Sequence, residues 1–231
     1  MRLDDWIGGS PELKAAGFAD NTLVVFIGDN GLAAPRGKTT SYELSVRVPL
    51  IVRWPGVAKA AQTRPELVCL LDLMPTFLTV AGVKIPASLA GQSLQPLLRG
   101  ESPAWRELLF TEMNFHEPQQ CAPQRTVRDA NHKLLLNLAP KPSQAPVELF
   151  DLRSDPWETN NLADAAALAA ARQRLEAALI AWRKQTADPL LEPARVQRWR
   201  DAAARWDKLP RLKAGPDEVV RIPAGELDLL R

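Results

Sequence analysis

The apolar pattern changes character part-way along this chain. Its first half carries short continuous runs. Thr22-Leu-Val-Val-Phe-Ile27 is rich in β-branched and aromatic residues and lies between Asn21 and Gly28. Such a run predicts a strand buried on both faces inside an α/β sheet. After a polar connection over 58–64, Leu67 to Ala81 turns helical: Leu73, Phe77, Leu78 and Ala81 recur at helix spacing and form the expected packing side. Asp72 is placed to cap that helix, with Pro75 in its first turn and Gly82 ending it.

From Trp105 the period shortens. Leu108–Glu112, Arg125–Arg128, Lys133–Asn137 and Glu148–Asp151 are short strand candidates between turns. A helix is expected from about Ala163 to Gln185, with Leu168, Leu175, Leu179 and Trp182 as an apolar stripe lying across that sheet. In the tail, Trp199 and Trp206 stand seven apart, which suggests a short amphipathic helix packed on the body.

Composition narrows the field only slightly. The 231 residues suffice for one large domain or two small ones. An apolar content of 46% and a charged content of 24% are ordinary for a globular protein. The net charge of +2 singles out no partner. Nine basic residues from Arg195 onward are offset by six acidic ones, so no nucleic-acid face is expected. Cys69 and Cys121 are too few for a disulfide framework, and no zinc-type Cys-x-x-Cys is present. No signal-peptide core is visible, and no apolar run is long enough to span a bilayer.

The chemistry gathers after the first strand. Gly28-Asp29-Asn30-Gly31 turns the chain at the strand's C-terminal edge, where α/β sheets collect ligand and metal sites. Asp29 and Asn30 offer hard oxygen donors suited to Ca²⁺ or Mg²⁺; read alone, the same residues are simply a turn. Gly37-Lys38-Thr-Thr-Ser-Tyr-Glu43 follows, then Arg47-Val-Pro-Leu-Ile-Val-Arg-Trp-Pro-Gly56. This ordered series resembles the sulfatase family of the alkaline-phosphatase superfamily. So do Gly91-Gln-Ser-Leu-Gln-Pro-Leu-Leu-Arg-Gly100 and Glu148-Leu-Phe-Asp-Leu-Arg-Ser-Asp-Pro-Trp-Glu158 with its continuation to Ala163. Ala90 stands where the family often has Asp. Lys133 to Leu138 and Trp182 to Pro189 are similar to the heparan N-sulfatase (sulfamidase) branch.

The resemblance implies an α/β fold. Residues 1–104 would be the C-terminal part of an alkaline-phosphatase-like sulfatase domain, 105–190 a small antiparallel-sheet-plus-helix subdomain, and 191–231 a tail extension. Trp6 to Asp20 would match the family helix before the Asp-Asn-Gly strand, with Gly17 as its C-cap. The chain is therefore expected to be the C-terminal half of a sulfatase. The metal-binding aspartate pair and the Cys-x-Pro-x-Arg segment that becomes formylglycine would lie upstream of it.

By resemblance Asp29 and Asn30 are Ca²⁺ ligands, Lys38 is the cation on the sulfate or leaving oxygen, and His116 reaches the substrate pocket, with a loop histidine as the alternative for His116. Cys121-Ala-Pro-Gln-Arg125 fits the minimal formylglycine signature, yet it lies downstream of the Asp-Asn-Gly strand and lacks the Leu-x-Thr-Gly-Arg continuation. It reads as coincidence. The function implied is hydrolysis of sulfate esters or sulfamates, on a sulfated small molecule or glycan. An inactive remnant or site-completing subunit is the alternative, with the N-terminal half or a second copy as partner. A phosphoesterase of the same superfamily is a third reading, and family members are often periplasmic, secreted or lysosomal.

Overall fold

The computed structural model describes residues 11–114, 123–141 and 144–206. They form two compact units, one holding the chain up to Asn30 together with Arg47–Leu109, the other Gly31–Val46 and Phe110 onward. Among the described residues no helix is long and apolar enough to cross a membrane.

In the first unit, β1 (Val24–Ile27) pairs antiparallel with β2 (Leu50–Arg53), Val24 opposite Arg53 and Ile27 opposite Leu50. Its side chains are half-buried, and Ile27 and Ile51 are exposed, so the expected burial on both faces does not hold. An apolar run reports a tendency to be covered, not what covers it. Here β1 has one neighbouring strand among the described residues.

Helix α1 (Leu73–Val80) follows a 3₁₀ turn at Leu70–Asp72. Gly82, at φ +67°, ends it as expected, with the Val83 amide returning to the Leu78 carbonyl. Its packed side is a correction to the periodicity. Pro75 and Thr76 are buried, whereas Phe77 is 44% exposed. The reason is hydrogen bonding: Thr76 Oγ1 donates to the Asp72 carbonyl (2.6 Å) and accepts the Leu94 amide (2.9 Å).

Asp72 likewise does not cap α1 with its side chain. Its buried carboxylate turns the other way. It accepts the Cys69 and Gln92 amides, each at 2.8 Å, and both terminal nitrogens of Arg106, at 2.6 and 2.5 Å. A bidentate charged pair outcompetes a single cap bond. Gly91 is required beside it, since a Cβ there would stand 2.1 Å from the Leu71 carbonyl oxygen.

The second unit is built on a sheet in the order β3 (Leu109–Met113), β4 (Gln124–Arg128), β5 (His132–Asn137), β6 (Val147–Asp151). β4–β5 and β5–β6 are antiparallel, with Leu134 opposite both Val127 and Leu149. The expected strands are recovered within two residues at each end. Side chains alternate between faces with period two. One face, with Val127, Leu134 and Leu149 fully buried, meets helix α2 (Ala169–Gln185) through Leu175 and Leu179, also fully buried. Trp182 stacks flat on Phe110 with ring centroids 5.1 Å apart.

The expected start of α2 at Ala163 moves to Ala169, after a 3₁₀ turn at Ala166–Leu168. The Ala163 carbonyl is taken by the Arg172 guanidinium instead of a helical amide. Helix α3 (Pro193–Trp206) packs through Trp199 and Ala202, which are buried against Leu190 and Ala139.

The opposite face of the sheet was unforeseen. Gln124, Thr126, Lys133, Asn137 and Glu148 are all buried there, beneath the segment Gly31–Val46.

Candidate functional site

β1 delivers Asp29 and Asn30. The ladder closes with the Gly28 amide on the Pro49 carbonyl at 3.1 Å, and the chain then turns. Asp29 is exposed, and among the described residues its Oδ1 accepts only the Asn30 amide, at 2.9 Å. A carboxylate bound by one backbone amide keeps lone pairs for a cation. The donor chemistry fits a hard divalent ion. The donor count does not complete a shell, since calcium takes about six to eight oxygens. Among the described residues no group of three His, Cys, Asp or Glu side chains could hold a metal.

Lys38 sits on a loop whose backbone is tightly determined. The Gly31 amide bonds the Ser45 carbonyl (2.8 Å), Leu32 that of Leu44 (3.2 Å), and Lys38 that of Leu32 (2.8 Å). Thr40 Oγ1 reaches the Arg36 and Gly37 carbonyls at 2.9 and 2.8 Å. Arg36 at φ +61° and Thr39 at φ +79° hold left-handed conformations that side chains disfavour. Gly37 is needed between them, because a Cβ would lie 2.0 Å from the Leu32 carbonyl oxygen. Lys38 itself is exposed, and its ammonium makes no ion pair among the described residues. A compact cation on a fixed loop is available to an anion.

The rest of the loop is anchored by buried polar groups that pattern reading missed. The Ser41 amide donates to Gln124 Oε1 at 2.8 Å, and the Tyr42 hydroxyl to Glu148 Oε1 at 2.8 Å. Burial first, then the Glu148 carboxylate, pushes the Tyr42 hydroxyl well above the ordinary phenol range. The Arg36 guanidinium lies 4.0 Å over the Tyr42 ring. Glu43 pairs with Lys133 Nζ at 3.1 Å and Arg128 at 2.6 Å, and Lys133 also meets Glu158 at 3.2 Å. Across the sheet, Arg125 and Arg183 converge on Asp188. The signal that could have found these groups is charged residues placed inside strands, at Arg125, Lys133 and Glu148. His116 and Cys121 lie outside the described residues.

Residues 36–185 match the family model described as N-sulphoglucosamine sulphohydrolase, C-terminal. The chain belongs to the sulfatase family. This sulfatase chain is 30% identical over 200 residues to an ulvan-active sulfatase of Formosa agariphila, covering 75% of the chain and 39% of that protein. Against the N-sulphoglucosamine sulphohydrolase of Homo sapiens it is 30% identical over 236 residues, covering 81% of the chain and 47% of the relative. It therefore spans less than half the length of either. A solved structure of a protein in complex with its substrate D-glucosamine-2-N,6-O-disulfate superposes with a TM-score of 0.69 at 29% identity, over 76% of this chain and 37% of that one. The fold is thus alkaline-phosphatase-like, and the short antiparallel sheet with α2 is its C-terminal part.

Proposed function

We propose that this sulfatase chain serves hydrolysis of sulfate esters or sulfamates on sulfated sugars. Asp29 and Asn30 donate oxygens to Ca²⁺, Lys38 contacts the sulfate group, and His116 contacts the sugar. The observation that carries the reading is the Lys38 loop: an exposed ammonium, without an ion pair among the described residues, on a backbone held at two left-handed residues, within the region matched to the family. Sulfuryl transfer develops charge on sulfate oxygens, and a fixed cation beside them lowers the barrier. A divalent cation held by Asp29 and Asn30 would itself supply positive charge toward an anionic substrate. The relatives act on ulvan or on N-sulphoglucosamine by name, and the substrate-bound neighbour holds a glucosamine sulfated at nitrogen and at O6. A small sulfated glucosamine is accordingly the substrate class to try first.

Calorimetric titration with Ca²⁺ tests the metal assignment. Two donors, one of them charged, predict weak binding by the 231-residue chain alone, on the order of 10⁻³ M. Adding the upstream segment of a sulfatase, with its acidic pair, is expected to tighten binding, and Asp29→Ala to abolish that gain. Micromolar binding by the chain alone, or a gain that survives Asp29→Ala, would contradict it.

A further inference from the structure

Glu158 belongs to a passage, Asp155-Pro-Trp-Glu158, that neither the metal nor the sulfate assignment uses. It sits at φ +57°, a conformation glycine adopts freely and glutamate does not. The turn holding it is well determined. Asp155 accepts the Thr159 and Asn160 amides at 3.0 and 2.8 Å and the Thr159 hydroxyl at 2.9 Å, and the Glu158 amide returns to the Asp155 carbonyl at 3.1 Å. The strained backbone aims the carboxylate inward, where it is 1% exposed.

There it does two things. Oε2 accepts the backbone amide of Glu43, and Oε1 stands 3.2 Å from Lys133 Nζ. Lys133 in turn binds Glu43 Oε1 at 3.1 Å, and Arg128 binds Glu43 Oε2 at 2.6 Å. Two carboxylates and two cations thus close on one another around the helical turn Glu43–Val46, which ends the Lys38 loop. Other anchors hold that loop from the sheet surface at Gln124 and Glu148. Among the described residues, Glu158 is the one that grips its main chain from outside the sheet with a charged group.

We propose that Glu158 is a positioning residue for the Lys38 loop: it fixes the loop's C-terminal end on the small sheet, and through the loop sets where the Lys38 ammonium stands. The consequence for sulfate rests on the sulfatase reading; the hold on the loop does not.

Amide hydrogen exchange on the full chain, comparing wild type with Glu158→Gly, tests the hold. Glycine removes the carboxylate while relaxing the left-handed backbone, so loss of fold from strain is not introduced. Exchange over 37–46 is expected to rise ten-fold or more while 124–128 and 132–137 stay as protected as before. Glu158→Gln, which keeps an oxygen for the Glu43 amide, is expected to restore part of that protection. Unchanged exchange over 37–46, or an equal rise in loop and sheet, would overturn the proposal. The second readout is acetylation of Lys38 with and without inorganic sulfate. Sulfate is expected to slow it in wild type and to lose that effect in Glu158→Gly. Equal protection by sulfate in both proteins, with the loop loosened, would overturn the positioning role. A loosened loop with no sulfate protection in wild type would instead overturn the assignment of Lys38 to the sulfate group and leave the hold standing.

Discussion

Replacing Asp188 by alanine is expected to cost about 3–5 kcal/mol of the second unit's stability, because it takes the paired carboxylate from buried Arg183 and leaves buried Arg125 only a 3.5 Å pairing with the exposed Glu112 among the described residues. Asp188 is buried with its side chain 1% exposed. It accepts Arg125 Nε and Nη2 at 2.9 and 2.8 Å, Arg183 Nε at 2.7 Å and the Leu190 amide at 3.0 Å. Burial alone would raise this carboxyl; the two arginines and the amide outweigh it and hold it at about 2. A carboxyl lowered in the folded state stabilises fully above its unfolded value, about 3.9. That contribution fades as pH falls from there through about 2. The stability gap between wild type and Asp188→Ala, read from urea midpoints, is therefore expected to be widest at neutral pH and to narrow below about pH 4. A gap under 1 kcal/mol at pH 7, or one that widens in acid, would contradict the assignment.

Lys133→Met is expected to be of similar size and to carry a pH dependence of the same sign, shifted to higher pH. The lysine is 1% exposed and lies between Glu43 and Glu158. Methionine preserves its bulk and removes the charge, which leaves two buried carboxylates with only Arg128 as a paired cation among the described residues. The cost of breaking a buried pair is again about 3–5 kcal/mol, or roughly 6–20 °C in melting temperature for a unit of this size. Burial already raises the Glu158 carboxyl above the ordinary range, against the lowering effect of Lys133 and of the Glu43 amide. Without Lys133 it rises further. An acid raised in the folded state costs nothing below its unfolded value, about 4.3, and destabilises as pH climbs through its folded one. The variant is thus expected to melt closer to wild type at about pH 5 than at about pH 8. A loss independent of pH would mean that Glu158 is not the group left uncompensated.

Much of the second unit could be read from alternation alone. Val127, Leu134 and Leu149 mark the face under α2, and Leu175 and Leu179 mark the helix side that meets it. What alternation cannot show is whether a polar face meets water. Gln124, Lys133 and Glu148 look like solvent positions in the sequence, yet Ser41, Tyr42 and Glu43 cover them from more than 80 residues away. Burial of that kind depends on a long-range contact that no local window contains. Helix α1 errs in the other direction. Phe77 has the spacing of a packed residue, but the buried side is chosen by the hydrogen bonds of Thr76 and Asp72.

The candidate site was read for a different reason. Asp29 and Asn30 came from the turn at a strand's edge and their oxygen donors, and, with Lys38, from ordered motifs resembling a family. The structure adds what motifs do not carry: the left-handed residues on either side of Lys38, and the reason only glycine fits at Gly37. It also gives Asp188 and Glu158 roles that their motif passages left unexplained.

Release of inorganic sulfate from D-glucosamine-2-N,6-O-disulfate is the most direct measurement of the central claim. It is made on the chain supplied with the formylglycine-bearing segment of a sulfatase, and repeated with Lys38→Ala. Sulfate is expected to be released, with kcat/KM falling by about 10²–10³ when the Lys38 ammonium is removed, the range found for loss of one charge-stabilising donor. Release that is unchanged in Lys38→Ala would contradict the account, as would no release from a complex shown to be folded and calcium-loaded.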